Sequence, residues 1–220
     1  LQGELNWRER EGGRLVARIG KLVYPEAAPP RGVQPAGGHD LALPALDIVI
    51  DDMQLKKANL GKVELLANKQ GNDWRIERLR ISNPDASLNA DGVWQSWLVQ
   101  PQSKLALDLD VRDVGKFLAR MGYPERIRGG TAQFNGNLGW RGSPQDFNLA
   151  TLSGDMKLES RRGQFMKVDP GVGKLLGLLS LQALPRRLTL DFRDVFSDGF
   201  AFDTILGVMS VNQGVVSTND

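Results

Sequence analysis

The strand pattern that decides the fold is clearest in the stretch Leu105-Ala106-Leu107-Asp108-Leu109-Asp110-Val111. Large aliphatic residues occupy every second position, and alanine or aspartate stands between them. Successive side chains of a β-strand point to opposite faces of the sheet, so this alternation predicts a strand with one apolar and one polar face. The same alternation accounts for Asp108 and Asp110 as residues of the solvated face, without a metal site.

Working outward, the alternation recurs over most of the chain. Leu46, Ile48 and Ile50 alternate with acidic residues and a valine. Further strands are predicted over residues 1–7, 15–19, 60–67, 74–81, 86–94, 132–140, 147–150, 154–159, 188–192, 200–211 and 215–216. Turns of Gly, Asn, Asp and Pro separate the strands at short spacing, which favours an antiparallel meander over βαβ units.

Two helices interrupt the strands. Asp113 is suited to cap the first helix, which Gly122 ends. The second helix is predicted over residues 170–184, with Asp169 as its cap. One stripe of this helix consists of Val172, Leu175, Leu176 and Leu179. Because further leucines widen the stripe, this helix is expected to be buried on more than one side.

The predicted fold class is therefore mainly β. We expect a curved antiparallel meander sheet, either an open groove or sandwich-like, with two short helices. Residues 24–44 contain five prolines and three glycines and are predicted to form a flexible loop. Residues 169–220 are predicted to form a C-terminal unit of one helix and strands. The whole stretch 1–220 is expected to be a fragment of a longer protein.

Composition excludes several function classes. The chain has no cysteine, which removes disulfides, thiolate nucleophiles and cysteine metal sites. The formal net charge is +2 with scattered lysines and arginines, which argues against a nucleic-acid partner. No apolar run reaches the roughly 18 residues that a transmembrane helix requires, so no such segment is expected within these residues.

No constellation of residues predicts catalysis. The segment from Gly171 to Lys174 resembles a phosphate-binding loop, but Val168 and Leu175 stand where a glycine and a Ser or Thr are required. His39 is the only histidine and has no metal-ligating or triad partner in the sequence. We therefore expect a protein that is not an enzyme.

A longer motif gives a family resemblance. It is the stretch from Asp169 to Asp203, DPGVGKLLGLLSLQALPRRLTLDFRDVFSDGFAFD. This stretch resembles the C-terminal region of the YhdP family, which belongs to the AsmA-like, TamB-related group of bacterial envelope proteins. Residues 121–124, 128–130 and 138–144 are similar to the same family.

The resemblance implies a long periplasmic β-structure, tethered to the inner membrane by a helix outside these residues. Its strands would form an open apolar groove that carries phospholipids between the inner and outer membranes of Gram-negative bacteria, with no catalytic residue or cofactor. The candidate groove residues, which would contact phospholipid acyl chains, are Leu46, Ile48, Ile50, Leu105, Leu107, Leu109, Val172, Leu175, Leu176 and Leu179.

Two other functions stay open at this point. The first is a structural or assembly factor of the cell envelope, which would bind membrane proteins of the envelope through exposed sheet edges. The second is a glycan-binding or glycan-cleaving β-sandwich, with exposed aromatic residues beside paired carboxylates. The carboxylates available for it are Asp191, Asp194, Asp198 and Asp203, which normal turn chemistry also explains.

Overall fold

The computed structural model describes residues 2–9, 13–25, 43–144, 146–166 and 199–218. Within these ranges, strands β1 to β7 span Gln2–Arg8, Arg14–Tyr24, Ala45–Leu55, Ala58–Gln70, Asp73–Ser82, Ala86–Gln95 and Gln102–Val111. Helix α1 spans Val114–Arg120. Strands β8 to β11 span Ile127–Arg141, Ser153–Phe165, Phe200–Asn212 and Val215–Thr218, and a 3-10 turn spans Leu149–Thr151.

All the strands form one sheet in which neighbours in space are also neighbours in the chain. The sheet has eleven strands in the order β1 to β11. The described strands pack chiefly against these immediate neighbours, so no second sheet layer covers them. The sheet does not close into a barrel, because β1 and β11 do not pair. The predicted mainly β class with a meandering open sheet is confirmed.

One pair of strands departs from the antiparallel meander. β2 and β3 run parallel, with Ala17 opposite Ile48 and Ile19 opposite Ile50. Parallel neighbours require a crossover connection, and the residues between them belong to the segment predicted as a loop. Pro44, at the end of this connection, accepts a hydrogen bond from Trp74 Nε1 at 2.9 Å. Residues 26–42 lie outside the described part of the chain.

The first predicted helix is confirmed together with its cap. The Lys116 backbone N–H donates to Asp113 Oδ1 at 3.0 Å, and this bond satisfies a donor of the first turn. Met121 is the C-cap of the helix, and Gly122 follows with a φ of +91°, a left-handed conformation that glycine adopts without a Cβ penalty. The start and the end of the helix predicted from the sequence therefore agree with the structure.

The strand prediction for residues 147–150 is wrong. Asn148 Oδ1 accepts a hydrogen bond from the Ala150 backbone N–H at 2.9 Å and begins the 3-10 turn instead. This local side-chain bond competes with strand pairing. The predicted helix 170–184 and strand 188–192 lie outside the described residues. No helix in the described part of the chain is long and apolar enough to cross a membrane.

Candidate functional site

The dominant feature of the sheet is one continuous apolar face, which we call the apolar face. Residues that pair across strands share a face, so the strand register defines its rows. One row crosses nine strands through Ala17, Ile48, Leu65, Leu79, Ala90, Leu107, Gly136, Met156 and Met209. The next row contains Ile19, Ile50, Val63, Ile81, Leu88, Leu109, Phe134, Leu158 and Gly207.

The six strand residues predicted from the sequence as groove residues all lie on this face. Leu46, Ile48 and Ile50 come from β3, and Leu105, Leu107 and Leu109 come from β7. The register connects the two sets, because Leu46 and Leu105 belong to one row and Ile50 and Leu109 to another. The four helical candidates, Val172, Leu175, Leu176 and Leu179, lie outside the described residues.

The middle of the apolar face is only partly buried. Leu88, Leu107, Phe134 and Leu158 are all of intermediate exposure. Among the described residues, the largest side chain that is fully buried is Ser103. The closed core of a domain of similar chain length normally contains several fully buried aliphatic and aromatic side chains. The apolar face is therefore packed differently from the interior of a two-layer domain.

Helix α1 closes the apolar face at one end of the strands. Val114 packs with Ala86 and Val111, and Phe117 and Leu118 pack against the same cluster. Arg120 Nε donates to Asp85 Oδ2 at 2.7 Å, and this ion pair fastens the helix to the β5–β6 turn. We call this end, with the β3–β4 turn and the start of β8, the helix edge.

Tryptophans close the face at the opposite end, which we call the tryptophan edge. Trp74 pairs with Trp94, Trp94 with Ser103, and Ser103 with Trp140, so one row crosses four strands. Ala67 completes the first of the two buried clusters at this end, and Leu152 and Val211 complete the second. Strand alternation gives the face of each ring, but their common row depends on register, which a single sequence does not give.

The three tryptophans of this row differ in their hydrogen bonds. Trp74 Nε1 donates to the Pro44 carbonyl and Trp140 Nε1 to the Ser143 carbonyl, each at 2.9 Å. Trp94 Nε1 is buried and has no acceptor among the described residues. A buried donor without an acceptor has a cost of about 1–3 kcal/mol. The tryptophan edge therefore contains one unsatisfied polar atom beside the apolar face.

The opposite face of the sheet is polar. Asp108 accepts from Asn135 Nδ2 at 2.6 Å, and Asp47 pairs with Arg18 at 2.8 Å. A cavity of about 740 Å³ lies on this face, and its charged lining consists of Arg75, Asp91, Lys104, Arg141 and Asp155. Since both signs of charge line it, the cavity does not define a site for an ion of one sign. No cluster of three metal-ligating side chains occurs within the described ranges.

This separation of faces bears on the glycan alternative. Trp74, Trp94 and Trp140 belong to the apolar face, whereas the carboxylates of Asp108 and Asp110 lie on the polar face. Within the described residues the sheet does not bring these aromatic rings and these carboxylates together. Of the four carboxylates predicted for this function, Asp203 is exposed on β10, and the other three lie outside the described residues.

Comparison with known proteins identifies the family of the chain. The chain matches the YhdP protein family over residues 1–220. It is also 33% identical over 161 residues to the intermembrane phospholipid transporter YhdP of Escherichia coli strain K12. The aligned stretch covers 73% of this chain and 13% of that relative. No solved structure has significant similarity to the chain. On the family match over its full length, this chain belongs to the YhdP family.

Proposed function

We propose that this chain is a non-catalytic, periplasmic segment of a longer envelope protein, and that its apolar face carries phospholipid acyl chains between the inner and outer membranes. The observation that carries the proposal is the unbroken apolar face from β2 to β10. The similarity to a phospholipid transporter supports the same substrate class. The tether to the inner membrane would lie outside these residues.

The dimensions of the apolar face suit an acyl chain. A strand of ten residues spans about 33 Å, and eleven strands at their usual spacing extend about 48 Å across the sheet. The hydrocarbon core of a bilayer is about 30 Å thick, so one acyl chain spans about 15 Å. Chains of this length fit between the helix edge and the tryptophan edge in either orientation.

The energetics favour binding of an acyl chain without a fixed position. Burial of an acyl chain gains about 0.8 kcal/mol per methylene, so even partial contact with the face stabilises binding by several kcal/mol. Leu88, Leu107 and Leu158 are apolar and donate no hydrogen bond, so they hold a chain without fixing its position. A lipid can therefore slide from row to row while its headgroup stays in water.

Lipid that copurifies with the 220-residue chain tests the proposal. We would express the chain in the periplasm of a Gram-negative host, purify it without detergent and identify bound phospholipid by native mass spectrometry. Leu107→Asn places an amide in the middle of the apolar face and is expected to lower the lipid occupancy at least several-fold, because the amide must be desolvated beneath an acyl chain.

Ala106→Asn is the matched control, since Ala106 is the neighbouring residue on the polar face. It should leave lipid occupancy unchanged. Leu88→Asn, one strand away on the apolar face, guards against a folding defect peculiar to residue 107. Circular dichroism and the unfolding midpoint verify that each variant folds. The proposal fails if the folded chain carries no phospholipid, or if all three variants carry the same amount as the unaltered chain.

The free edges of the sheet support a second candidate function, binding of envelope proteins. β1 and β11 each have one strand neighbour within the described part of the chain, so their outer backbone groups can pair with another strand. A Pro substitution of Asn6 would remove a backbone donor from β1. Loss of a specific crosslinked protein, with phospholipid occupancy intact, would favour this function over lipid transport.

A further inference from the structure

The helix edge carries an excess of exposed positive charge. Lys56 and Lys57 form the β3–β4 turn. Arg126 directly precedes β8, and Arg128 is the second residue of β8. All four are exposed and form no ion pair in the described part of the chain. Glu125 is the carboxylate in the same loops. Since the whole chain has a formal net charge of only +2, this excess is local.

Backbone contacts join these residues into one surface. The Lys56 N–H donates to the Tyr24 carbonyl at 2.7 Å. A Cβ built on Gly122 would lie 3.2 Å from Lys57 Cβ, so the end of α1 touches the β3–β4 turn. The Met166 N–H donates to the Arg126 carbonyl at 3.0 Å, which extends the surface to the end of β9. The cations therefore belong to one continuous edge.

Exposed aromatic and aliphatic side chains accompany the cations. Tyr24 is 55% exposed, Tyr123 60% and Leu55 37%. A tyrosine combines an apolar ring with a polar hydroxyl, which suits the boundary between lipid headgroups and acyl chains. Lysine and arginine likewise bury their stems in apolar surroundings while their charges reach phosphate groups. The helix edge thus combines the two residue types that favour a membrane interface.

From this combination we infer that the helix edge docks on an anionic lipid surface. The opposite edge also carries exposed basic residues, Arg8, Arg14, Lys69, Arg75 and Arg141, but three acidic residues, Glu9, Asp73 and Asp146, accompany them there. The exposed tyrosines favour lipid over an acidic protein. The position of the helix edge is a further reason for docking on lipid, because α1 lies at this edge and packs on the apolar face. Docking is distinct from acyl-chain transport, and either can fail without the other.

Vesicle flotation tests the inference on the 220-residue chain. The probe is a phosphatidylcholine vesicle with or without phosphatidylglycerol, at low and at high salt. Each basic residue near an anionic surface strengthens binding about five-fold, so the triple variant Lys57→Gln, Arg126→Gln, Arg128→Gln should bind about one hundred-fold more weakly. Binding of the unaltered chain should require phosphatidylglycerol and weaken at high salt.

The matched control is the triple variant Lys69→Gln, Arg75→Gln, Arg141→Gln. It removes the same number of charges at the other edge, from residues that form no ion pair with any described residue, and it should keep binding within about three-fold. Equal losses in the two triple variants would overturn the inference, as would binding that does not depend on phosphatidylglycerol.

Two further results separate docking from neighbouring hypotheses. Leu107→Asn, which disables the apolar face under the proposed function, should float with anionic vesicles as the unaltered chain does. Copurified phospholipid without vesicle binding would overturn docking and leave transport intact. Crosslinking of the helix edge to an acidic protein, with vesicle binding equal in both triple variants, would assign the edge to a protein partner and overturn the lipid surface.

Discussion

The two ends of the apolar face are closed by different means. At the tryptophan edge, aromatic rings in one row cover the strand ends, and two of their N–H groups reach backbone carbonyls. At the helix edge, a short helix is held by the Asp113 cap and by the Asp85–Arg120 pair. The first closure depends on apolar area, and the second adds charged groups to the apolar packing of α1, so mutation and pH should separate them.

The comparison also separates what each end can contribute to function. Apolar closure by Trp74 and Trp140 resists water and makes the strand ends stable at any pH near neutrality. The helix edge is closed by a helix of seven residues that packs on Ala86 and Val111 and is also held by polar contacts. Local opening has a low free energy in short elements with few long-range contacts, so the helix edge is the end expected to open first.

The largest effect should come from Trp140→Ala. Trp140 is 8% exposed, packs with Leu152 and Val211 and stacks edge-on with Phe147 at 5.4 Å between ring centroids. Truncation of a buried tryptophan leaves a cavity and is expected to lower the free energy of unfolding by about 3–5 kcal/mol. Urea unfolding at neutral pH measures the loss, provided that the free energy of unfolding depends on urea concentration with the same slope in both proteins.

Trp97→Ala is the control at the same edge. Trp97 is exposed, and its Nε1 donates to Asp73 Oδ1 at 2.7 Å outside the buried row. Its truncation should lower the free energy of unfolding by about 1 kcal/mol or less. Similar losses for the two tryptophans would contradict the view that the buried row closes this end.

An effect of about 1–2 kcal/mol is expected from Asp113→Ala at the helix edge. The hydrogen bond from the Lys116 backbone N–H holds the pKa of Asp113 below its usual range, although partial burial opposes this shift. Because the folded-state pKa lies below the unfolded value, the carboxylate stabilises the fold above that value. This contribution is lost as the pH falls through the folded-state pKa.

The pH profile is the measurement that distinguishes the two ends. The stability difference between the unaltered chain and Asp113→Ala should be constant near neutral pH and shrink below about pH 4. The difference caused by Trp140→Ala should not follow this titration, since no ionisable side chain is removed. An Asp113→Ala difference that persists unchanged well below pH 4 would show that the cap does not act through its charge.

The sequence was sufficient for local elements and for the face of each strand residue. Alternation placed Leu46 and Leu105 on an apolar face because side-chain direction follows from period two alone. The strand direction of β2 and β3 could not be predicted, since parallel and antiparallel pairs share that period. The helix at Asp113 was predictable because its cap and its terminal glycine are local signals.

The features that required the structure depend on register between distant strands. Trp74, Trp94 and Trp140 lie in separate strands, and only pairing places them in one row. The helix edge likewise combines Lys57 with Arg126, which are far apart in the chain. The strand predicted at residues 147–150 failed for a local reason, because Asn148 caps a 3-10 turn.

The smallest effect concerns the two tryptophans that pair across β5 and β6. Trp74 and Trp94 are 7% and 8% exposed and pack in one cluster, so replacement by phenylalanine removes a similar ring area at each. Trp74→Phe also leaves the Pro44 carbonyl without its donor. Trp94→Phe instead removes a buried donor that has no acceptor among the described residues.

Trp74→Phe should therefore be less stable than Trp94→Phe by about 1 kcal/mol, the net value of one hydrogen bond. Urea unfolding of the two variants under the same conditions measures this difference, and because each loses one indole, changes in ring packing largely cancel between them. Equal stabilities would mean that Trp94 Nε1 is satisfied in solution. The tryptophan row would then have no unpaired donor.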